Sequence, residues 1–315
     1  MNETSKILIT GISGKLGQLL AARLHRDSEI IGIDRRPFRR RPKDVDHNQI
    51  DIRRKKAEDI FRTQSIAAVF HMGIIHDPRK NSEEHHTMNL IGTQKILDYV
   101  ERYRIPKLVF LSSANIYGAR ATNSQFLNEE SPLMAATSFH QIRDLVSVDM
   151  LVNSFFWKHP EVETVILRPV HIIGDVSNAP SNYLRLPVVP TILGFDPMVQ
   201  VIHEEDVVEA LTLALRPGIR GVFNIVGPSP VPLSQIIAIL GKPNLRLPLP
   251  VFRPTLERLW KLKLTSFPPP EIDFIRFTCM VDGGRANRVL EYKPLKSLRE
   301  TLEIIQQDDI YHITR

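Results

Sequence analysis

The chain contains a single cysteine, Cys279, among its 315 residues. No disulfide can form within one chain and no cysteine cluster can bind a metal, so this composition suits a reducing cytoplasm. No apolar run approaches the ~18 residues that a membrane-spanning helix requires. The first residues also lack the basic and then apolar pattern of a signal peptide. We therefore predict a cytoplasmic protein without a membrane-spanning helix.

Acidic residues are too few to balance the basic ones. The formal net charge is +6, and much of the excess lies in residues 35–56. A basic chain raises the question of nucleic acid, but neither a zinc-finger spacing nor an aromatic-basic motif accompanies the charge. Attraction to an anionic substrate or to a membrane surface explains the charge as well. We expect no nucleic-acid partner.

The most informative segment is KILITGISGKLG, residues 6–17. An apolar run leads into Gly11, Gly14 and Gly17, and an amphipathic pattern follows, which predicts a buried strand, a tight turn and a helix start. Gly11 permits the turn, Gly14 lets backbone N–H groups approach a pyrophosphate, and Gly17 lets the helix pack close to the strand. The helix N-terminus adds unpaired N–H donors and partial positive charge. The segment therefore predicts a dinucleotide site.

The second apolar run ends in an acid, Asp34, which lies 17 residues after Gly17. A carboxylate about 20 residues beyond the glycine turn accepts hydrogen bonds from the adenosine ribose and disfavours the 2′-phosphate of NADP. Asp34 therefore favours NAD. However, Arg35 and Arg36 follow at once, and arginine is a good phosphate ligand, so NADP is the alternative cofactor. We interpret the basic residues 39–43 as a solvated loop.

Strand-like and helix-like segments alternate through the first half of the chain. This alternation predicts an α/β fold, namely a Rossmann-type doubly wound parallel sheet with helices on both faces and ligands at the carboxyl ends of the strands. Beyond Pro169, prolines break the chain into short pieces. We therefore assign residues 1–169 to a dinucleotide-binding domain and 170–315 mostly to a smaller substrate lobe, which can share strands with the first. The predicted strands are residues 7–10, 30–34, 67–71, 108–112 and 164–168, and the predicted helices are residues 16–25, 56–64, 89–103 and 139–157.

With these motifs in this order, the chain resembles the extended short-chain dehydrogenases/reductases of the NAD-dependent epimerase/dehydratase family. The resemblance covers nearly the whole chain and rests on residues 10–17, 51–53, 70–73, 89–93, 111–118, 167–174, 201–206 and 280–286. The cofactor-binding residues that the glycine turn and the resemblance imply are Gly11, Ser13, Gly14, Lys15, Leu16, Gly17, Asp34, Arg35, Asp51, Ile52, Met72, Gly73, Asn89, Arg143 and Pro169.

In this family a serine, a tyrosine and a lysine carry the chemistry. The tyrosine hydroxyl transfers a proton, the lysine lowers the tyrosine pKa and binds the nicotinamide ribose, and the serine holds the substrate oxygen. Ser113 matches the serine, but Phe139 stands at the tyrosine position and Arg143 at the lysine position. Phenylalanine has no hydroxyl, whereas arginine keeps the charge and can still bind ribose. The resemblance thus implies Ser113 and Arg143 as catalytic residues and leaves the proton donor open.

Two residues could replace the missing proton donor. His140 titrates near neutral pH, but it projects ~100° around the helix from residue 139, so it reaches the site only if the helix is shifted. A surface or dimer contact is its other explanation. Tyr117 is the second candidate, although the tyrosine at this position is usually structural in relatives. We take His140 as the candidate acid–base residue.

Histidine spacing gives no support for a metal site. His85 and His86 are adjacent, and adjacent side chains diverge on a helix and chelate poorly. We predict a solvated helix start at this point and no metal centre.

Two functions follow from the sequence. The first is an NAD(P)-binding oxidoreductase or epimerase that acts on a small hydroxyl- or keto-bearing substrate, such as a sugar, by hydride transfer. The second is a catalytically degenerate dinucleotide sensor or scaffold, which the phenylalanine at position 139 favours. Sugar-nucleotide epimerases of the family commonly carry an arginine where this chain has Val199, so this position does not support a sugar-nucleotide substrate, which stays an open alternative.

Two surfaces suggest partners beyond the small-molecule substrate. Residues 256–264 are basic and apolar with a tryptophan, as interfacial membrane helices are. A helix that begins near Pro254 and packs on the substrate lobe explains the same pattern. The helices at 89–103 and 139–157 resemble those that pair across the family's dimer, so we expect a homodimer.

Overall fold

The computed structural model describes residues 6–39, 41–76, 82–137, 140–176, 179–263, 265 and 267–313. A seven-stranded sheet forms its centre, and every neighbouring pair of strands in it is parallel. This confirms the predicted doubly wound α/β fold. Numbered in chain order and given from one edge to the other, the strands are β11 (Gly221–Ile225), β6 (Glu163–Pro169), β5 (Lys107–Leu111), β4 (Ile66–His71), β1 (Lys6–Thr10), β2 (Glu29–Asp34) and β3 (Asp46–Gln49).

Apolar side chains cover both faces of this sheet. Ile7 and Ile9 pack into one core and Leu8 into the other, because successive side chains of a strand point to opposite faces. Burial on both faces explains why the central strands are continuous apolar runs. The first core is closed by α1 (Lys15–Leu24) and α7 (Glu204–Leu213), and the second by α2 (Lys55–Thr63), α4 (Gly92–Arg102) and α5 (His140–Lys158).

The helix after β4 is interrupted by a wider turn. It starts as α3 (Ser82–His86), passes through a π-helical turn at Thr87–Ile91 and continues as α4. Such turns insert an extra residue and are frequent at functional sites. The turn buries Asn89 completely on the side that faces the segment after β4.

A third apolar core lies in the second half of the chain. Paired strands frame it: β7 (His171–Ile173) with β10 (Val201–His203), β8 (Val189–Ile192) with β13 (Asn244–Leu247), and β9 (Met198–Val199) with β12 (Val231–Pro232). The helices of this half are α6 (Ala179–Leu184), α8 (Leu233–Ile239), α9 (Leu249–Lys261) and α10 (Leu298–Ile313). Shorter helical turns lie at Ala114–Tyr117, Met134–Thr137, Pro269–Ile275 and Ala286–Leu290.

Helix α9 corrects one expectation and supports another. It begins at Leu249, so Pro254 lies inside the helix and does not start it. Pro250 stands in the first turn, where a fixed φ suits a helix start. Phe252 and Leu256 are buried in the third core, so the helix packs on the lobe. Within the described part of the chain, every helix falls short of the length and apolar character that crossing a bilayer requires.

Candidate functional site

The glycine turn joins β1 to α1 in the geometry that the sequence predicts. Gly11 has a positive φ of 75°, and a Cβ there would lie 2.7 Å from the carbonyl oxygen of Met72. A Cβ at Gly17 would lie 2.7 Å from the Cα of Ile12, so only glycine lets α1 approach the turn this closely. Gly14 caps α1 without any side-chain hydrogen bond, which leaves the first N–H groups of the helix available to an anion.

A chain of hydrogen bonds holds the turn against the end of β4. The hydroxyl oxygen of Thr10 accepts from the backbone N–H groups of Met72 and Gly73 at 3.2 and 3.1 Å, so its own proton is free to go to Nδ1 of His71, 2.7 Å away. Nε2 of His71 then donates to Thr93 at 2.9 Å. Burial lowers the pKa of His71 to about 3, which keeps the ring neutral, as this donor order requires. The backbone of Met72 and Gly73 is thereby fixed beside the glycine turn.

Asp34 ends β2 beside the glycine turn, with only 5% of its surface exposed. One carboxylate oxygen accepts from the backbone N–H of Ser13 at 3.1 Å. The other accepts from the backbone N–H of Arg36 at 2.8 Å, and the Arg36 guanidinium donates to both oxygens at 3.3 and 3.2 Å. Arg35 points elsewhere and pairs with Glu84 at 2.5 Å. The arginine beside the predicted ribose acceptor is therefore Arg36.

The next predicted cofactor residues follow β3. Asp51 forms a two-point ion pair with Arg53, and the Arg53 guanidinium that donates these bonds lowers the pKa of Asp51. Ile52 is buried and sits against α4, since a Cβ at Gly92 would lie 2.8 Å from its Cδ1 atom. On the helix side, Asn89 accepts from the N–H of Ile75 at 2.7 Å and donates to its carbonyl at 2.8 Å. Asn89 thus braces the segment after β4.

Ser113 lies just beyond the end of β5. Its hydroxyl oxygen accepts from the backbone N–H of Asn115 at 3.2 Å and caps the short helical turn there. A small cavity opens at this point, and a histidine that sequence reasoning did not single out shares it with the serine. Its lining residues are Ser112, Ser113, His76, Ile74, Phe110, Leu111, Leu145 and Val148.

Behind Ser113 lies a buried polar network that the sequence did not predict. The Arg168 guanidinium on β6 makes a two-point ion pair with Asp149 on α5, at 2.5 and 3.0 Å, and both residues are at most 1% exposed. Ser112 donates to the same carboxylate at 2.6 Å. Tyr117 accepts from Arg168 at 2.8 Å and donates to Asn224 of β11 at 2.9 Å.

The network links the carboxyl ends of β5, β6 and β11 to α5. It also engages the hydroxyl of Tyr117 in two hydrogen bonds. Burial raises the pKa of this hydroxyl to about 12. Tyr117 therefore cannot serve as the replacement proton donor. Pro169, a predicted cofactor residue, directly follows Arg168 at the end of β6 and pairs in register with Ile225.

The helix that should carry the catalytic pair is described only in part. Phe139 lies outside the described residues, and of His140 the structure describes the backbone alone, at the first position of α5. Arg143 is exposed, and its guanidinium donates to the carbonyl oxygen of Ala136 at 3.4 Å. The roles of His140 and Arg143 therefore stay predictions.

A charged cluster joins α1 to the second lobe. Lys15, the first residue of α1, forms an ion pair with Asp175, and this pairing raises the lysine pKa. Glu204 lies beside them, with its carboxylate close to the backbone of Gly174. Its burial raises the pKa of this carboxyl to about 7. Leu16, next along α1, packs against the first core.

His85 and His86 converge on one acid. His86 is exposed and pairs with Asp144 of α5 at 3.1 Å. His85 is fully buried, 3.6 Å from the same carboxylate, so the expected solvated helix start is wrong for this residue. The reason is that α3 packs against α5, so His85 lies between Asp144 and Asn89. Among the described residues, no group of three or more histidine, cysteine or acidic side chains is placed to hold a metal ion.

Curated proteins of similar sequence include an uncharacterized protein and an epimerase. An uncharacterized protein of Mycobacterium tuberculosis strain H37Rv is 27% identical over 256 residues, which cover 78% of this chain and 67% of that protein. The UDP-glucose 4-epimerase of Dictyostelium discoideum is 26% identical over 171 residues, covering 50% of this chain and 48% of the epimerase.

Solved structures share the fold over nearly the whole length. The UDP-glucose 4-epimerase of Thermotoga maritima with UDP-glucose has a TM-score of 0.76 at 18% identity, covering 98% of this chain and 99% of the other. The dTDP-glucose 4,6-dehydratase of Bacillus anthracis in complex with NAD has a TM-score of 0.73 at 16% identity, covering 98% of each chain. The family model described as NAD dependent epimerase/dehydratase matches residues 7–225. This chain therefore belongs to the NAD dependent epimerase/dehydratase family, as its motifs predict.

Proposed function

We propose that the protein binds NAD and uses it to oxidise and reduce a hydroxyl- or keto-bearing sugar, with a sugar nucleotide as the substrate class. The observation that carries this proposal is the start of α1 at Gly14, which has no side-chain cap, with the buried carboxylate of Asp34 beside it. The turn offers an anion unpaired N–H groups, and the acid offers ribose hydroxyls an acceptor.

The described residues fit the cofactor. A Cβ would fill the space at Gly11 and Gly17, and at Gly14 it would lie 3.1 Å from the carbonyl oxygen of Gly11. We assign the pyrophosphate to the glycine turn and the start of α1, the adenosine ribose to Asp34 and Ser13, and the adenine to the stretch beginning at Asp51. When bound, the nicotinamide supplies a reversible hydride acceptor.

The chain's own residues would orient the substrate and manage its proton. Ser113 would hold the substrate oxygen by a hydrogen bond, and the buried pair of Arg168 and Asp149 would hold the strand end on which Ser113 stands. Arg143 would place its positive charge near the ribose. The loss of a general acid–base group lowers rates by ~10²–10⁴-fold, so the phenylalanine at position 139 predicts slow turnover unless another residue supplies the proton.

The relatives support a sugar nucleotide as the class to test first, since two of them are UDP-glucose 4-epimerases. Purified protein is incubated with NAD⁺ and UDP-glucose, UDP-glucuronic acid or dTDP-glucose, and the sugar is followed by proton NMR. We expect conversion of at least one sugar, and a Ser113→Ala variant that binds NAD⁺ normally but converts the sugar more slowly.

The non-catalytic alternative makes a different prediction for the same samples. A sensor or scaffold would bind NAD⁺ by calorimetry and leave all three sugars unchanged. Binding without conversion by the parent, together with conversion by the Phe139→Tyr/Arg143→Lys variant, would replace the proposed activity with that alternative.

A further inference from the structure

We propose that Arg36 lets the adenosine-ribose end of the dinucleotide site accept a 2′-phosphate, an inference that rests on the proposed function. The protein would then bind NADP⁺ with an affinity within about tenfold of that for NAD⁺. A bare carboxylate at this position repels the 2′-phosphate. The Asp34 carboxylate is not bare, because it accepts four hydrogen bonds, two from backbone N–H groups and two from the Arg36 guanidinium.

The position of the guanidinium is the first step of the argument. Arg36 contacts both oxygens of Asp34, and its Nη2 atom lies 3.4 Å from where a Cβ of Gly14 would be. It therefore stands between the carboxylate assigned to the ribose and the turn assigned to the pyrophosphate. The Arg36 side chain is 60% exposed, so solvent and ligand can reach its remaining N–H donors. A guanidinium binds phosphate oxygens in a two-point geometry.

A serine and a histidine lie beside Arg36, and a second arginine acts on that histidine. The hydroxyl of Ser13 donates to the carbonyl oxygen of Arg36 at 2.9 Å and lies 3.4 Å from Nε2 of His47 on β3. Burial and the nearby charge of Arg41 lower the pKa of His47, while Asp34 and Asp46 act in the opposite direction. Arg41 thus adds positive charge near His47, and the buried Asp34 carboxylate is already paired with Arg36.

The neighbouring arginine does not share this role. Arg35 is committed to Glu84 of α3, so its charge is held away from the Asp34 carboxylate. The two consecutive arginines therefore have different roles. Arg35 forms an ion pair that links the end of β2 to α3, and Arg36 lies at the ribose end of the proposed dinucleotide site.

Calorimetric titration of the full chain with NAD⁺ and with NADP⁺ tests the proposal. For Arg36→Ala we expect NADP⁺ affinity to fall by about tenfold to a hundredfold, because a charge-assisted hydrogen bond to phosphate is lost. NAD⁺ affinity should hold or rise, because the ribose no longer competes with the guanidinium for Asp34. Arg36→Lys should fall between, since it keeps the charge and loses the two-point geometry. Parent NADP⁺ affinity should also decline more steeply with salt than NAD⁺ affinity does.

Arg39→Ala is the matched control, because Arg39 is exposed in the same loop and carries the same charge; it should change both affinities little. Parent protein that binds NAD⁺ but binds NADP⁺ more than about tenfold more weakly would reject the role of Arg36 and leave the proposed function intact. Equal losses for both dinucleotides in Arg36→Ala would also reject it. Failure of the parent to bind either dinucleotide would reject the proposed function and this inference together.

Discussion

Glu204 has a buried carboxyl group that makes few hydrogen bonds to offset its loss of solvent. It is 6% exposed at the first position of α7, and one of its oxygens has no hydrogen-bond partner among the described residues. Burial of this kind favours the protonated form. The ion pair of Lys15 and Asp175 lies beside it, so the acid sits where the glycine turn meets the second lobe.

We predict a pH-dependent stability from this residue. The folded-state pKa of about 7 lies above the ordinary value of 4.5, so the folded chain holds this proton more tightly than the unfolded chain does. The free energy of unfolding should therefore fall as the pH rises from about 4.5 to 7 and level off above. In urea unfolding at pH 8, Glu204→Gln should be more stable than the parent, by up to about 3 kcal/mol.

Glu205 provides the control for this measurement. Its hydrogen bond with Lys296 lowers its pKa, so the stability it contributes is present above its ordinary pKa and lost as the pH falls through the lower value. Glu205→Gln should therefore leave the slope between pH 5 and 7 unchanged. An identical slope in the parent and in Glu204→Gln would show that Glu204 titrates normally.

Single residues also show where sequence reasoning succeeds and where it stops. Asp34 and the glycines are placed as predicted, because their roles depend on the local turn and on strand length. The contact of Arg36 with Asp34, in place of Arg35, depends on side-chain direction at the strand end, which alternates residue by residue. The neighbourhood of His76 and Ser113 joins two distant segments, so no local spacing could reveal it.

At the scale of elements, apolar character decided which strands could be predicted. β1, β2, β4, β5 and β6 are runs of buried apolar residues, so they were visible in the sequence. β3 has the sequence DHNQ and was missed, because an edge strand is half exposed and needs no apolar pattern. β11 was missed for another reason: it follows the proline-rich pieces of the second lobe and only then returns to the sheet.

The ion pair of Arg168 with Asp149 joins β6 to α5, and we predict that it is sensitive to single substitutions. Arg168→Met should lower the free energy of unfolding by about 3–5 kcal/mol, because it leaves the Asp149 carboxylate buried and unpaired. Urea unfolding of Arg168→Met and of Arg168→Met/Asp149→Leu measures this, and the double variant should recover much of the loss.

An exposed ion pair supplies the comparison for that experiment. Arg216 and Glu291 are separated by 2.8 Å, and their side chains are 48% and 76% exposed. Arg216→Met should lower the free energy of unfolding by less than about 1 kcal/mol. Equal effects of Arg168→Met and Arg216→Met would mean that the buried network adds nothing to stability.

At the scale of the whole molecule, α5 presents large apolar side chains to solvent. Met150 is 59% exposed and Trp157 is 74% exposed, and seven residues, about two helical turns, separate them, so they share a face. Exposed apolar surface of this kind often marks a contact between chains. We predict a homodimer that buries this face of α5.

Light scattering on the purified protein should give the mass of two chains. Met150→Asp/Trp157→Asp should give the mass of one, because charges would then be buried in the contact. Leu295→Asp, which changes an exposed leucine in the loop before α10, should remain a dimer. A parent protein with the mass of one chain would contradict the prediction.

The return of β11 to the sheet has a consequence for the order in which the chain can fold. β6 is made before residues 170–220, and its partner β11 is made after them. During synthesis the edge of β6 that later pairs with β11 therefore stays open, and its unpaired backbone N–H and C=O groups can pair with other chains. The stretch matched by the family model, 7–225, begins just inside β1 and ends on the last residue of β11. A fragment cut at residue 169 would thus leave the growing sheet open, and we expect the cooperative unit of folding to extend to residue 225.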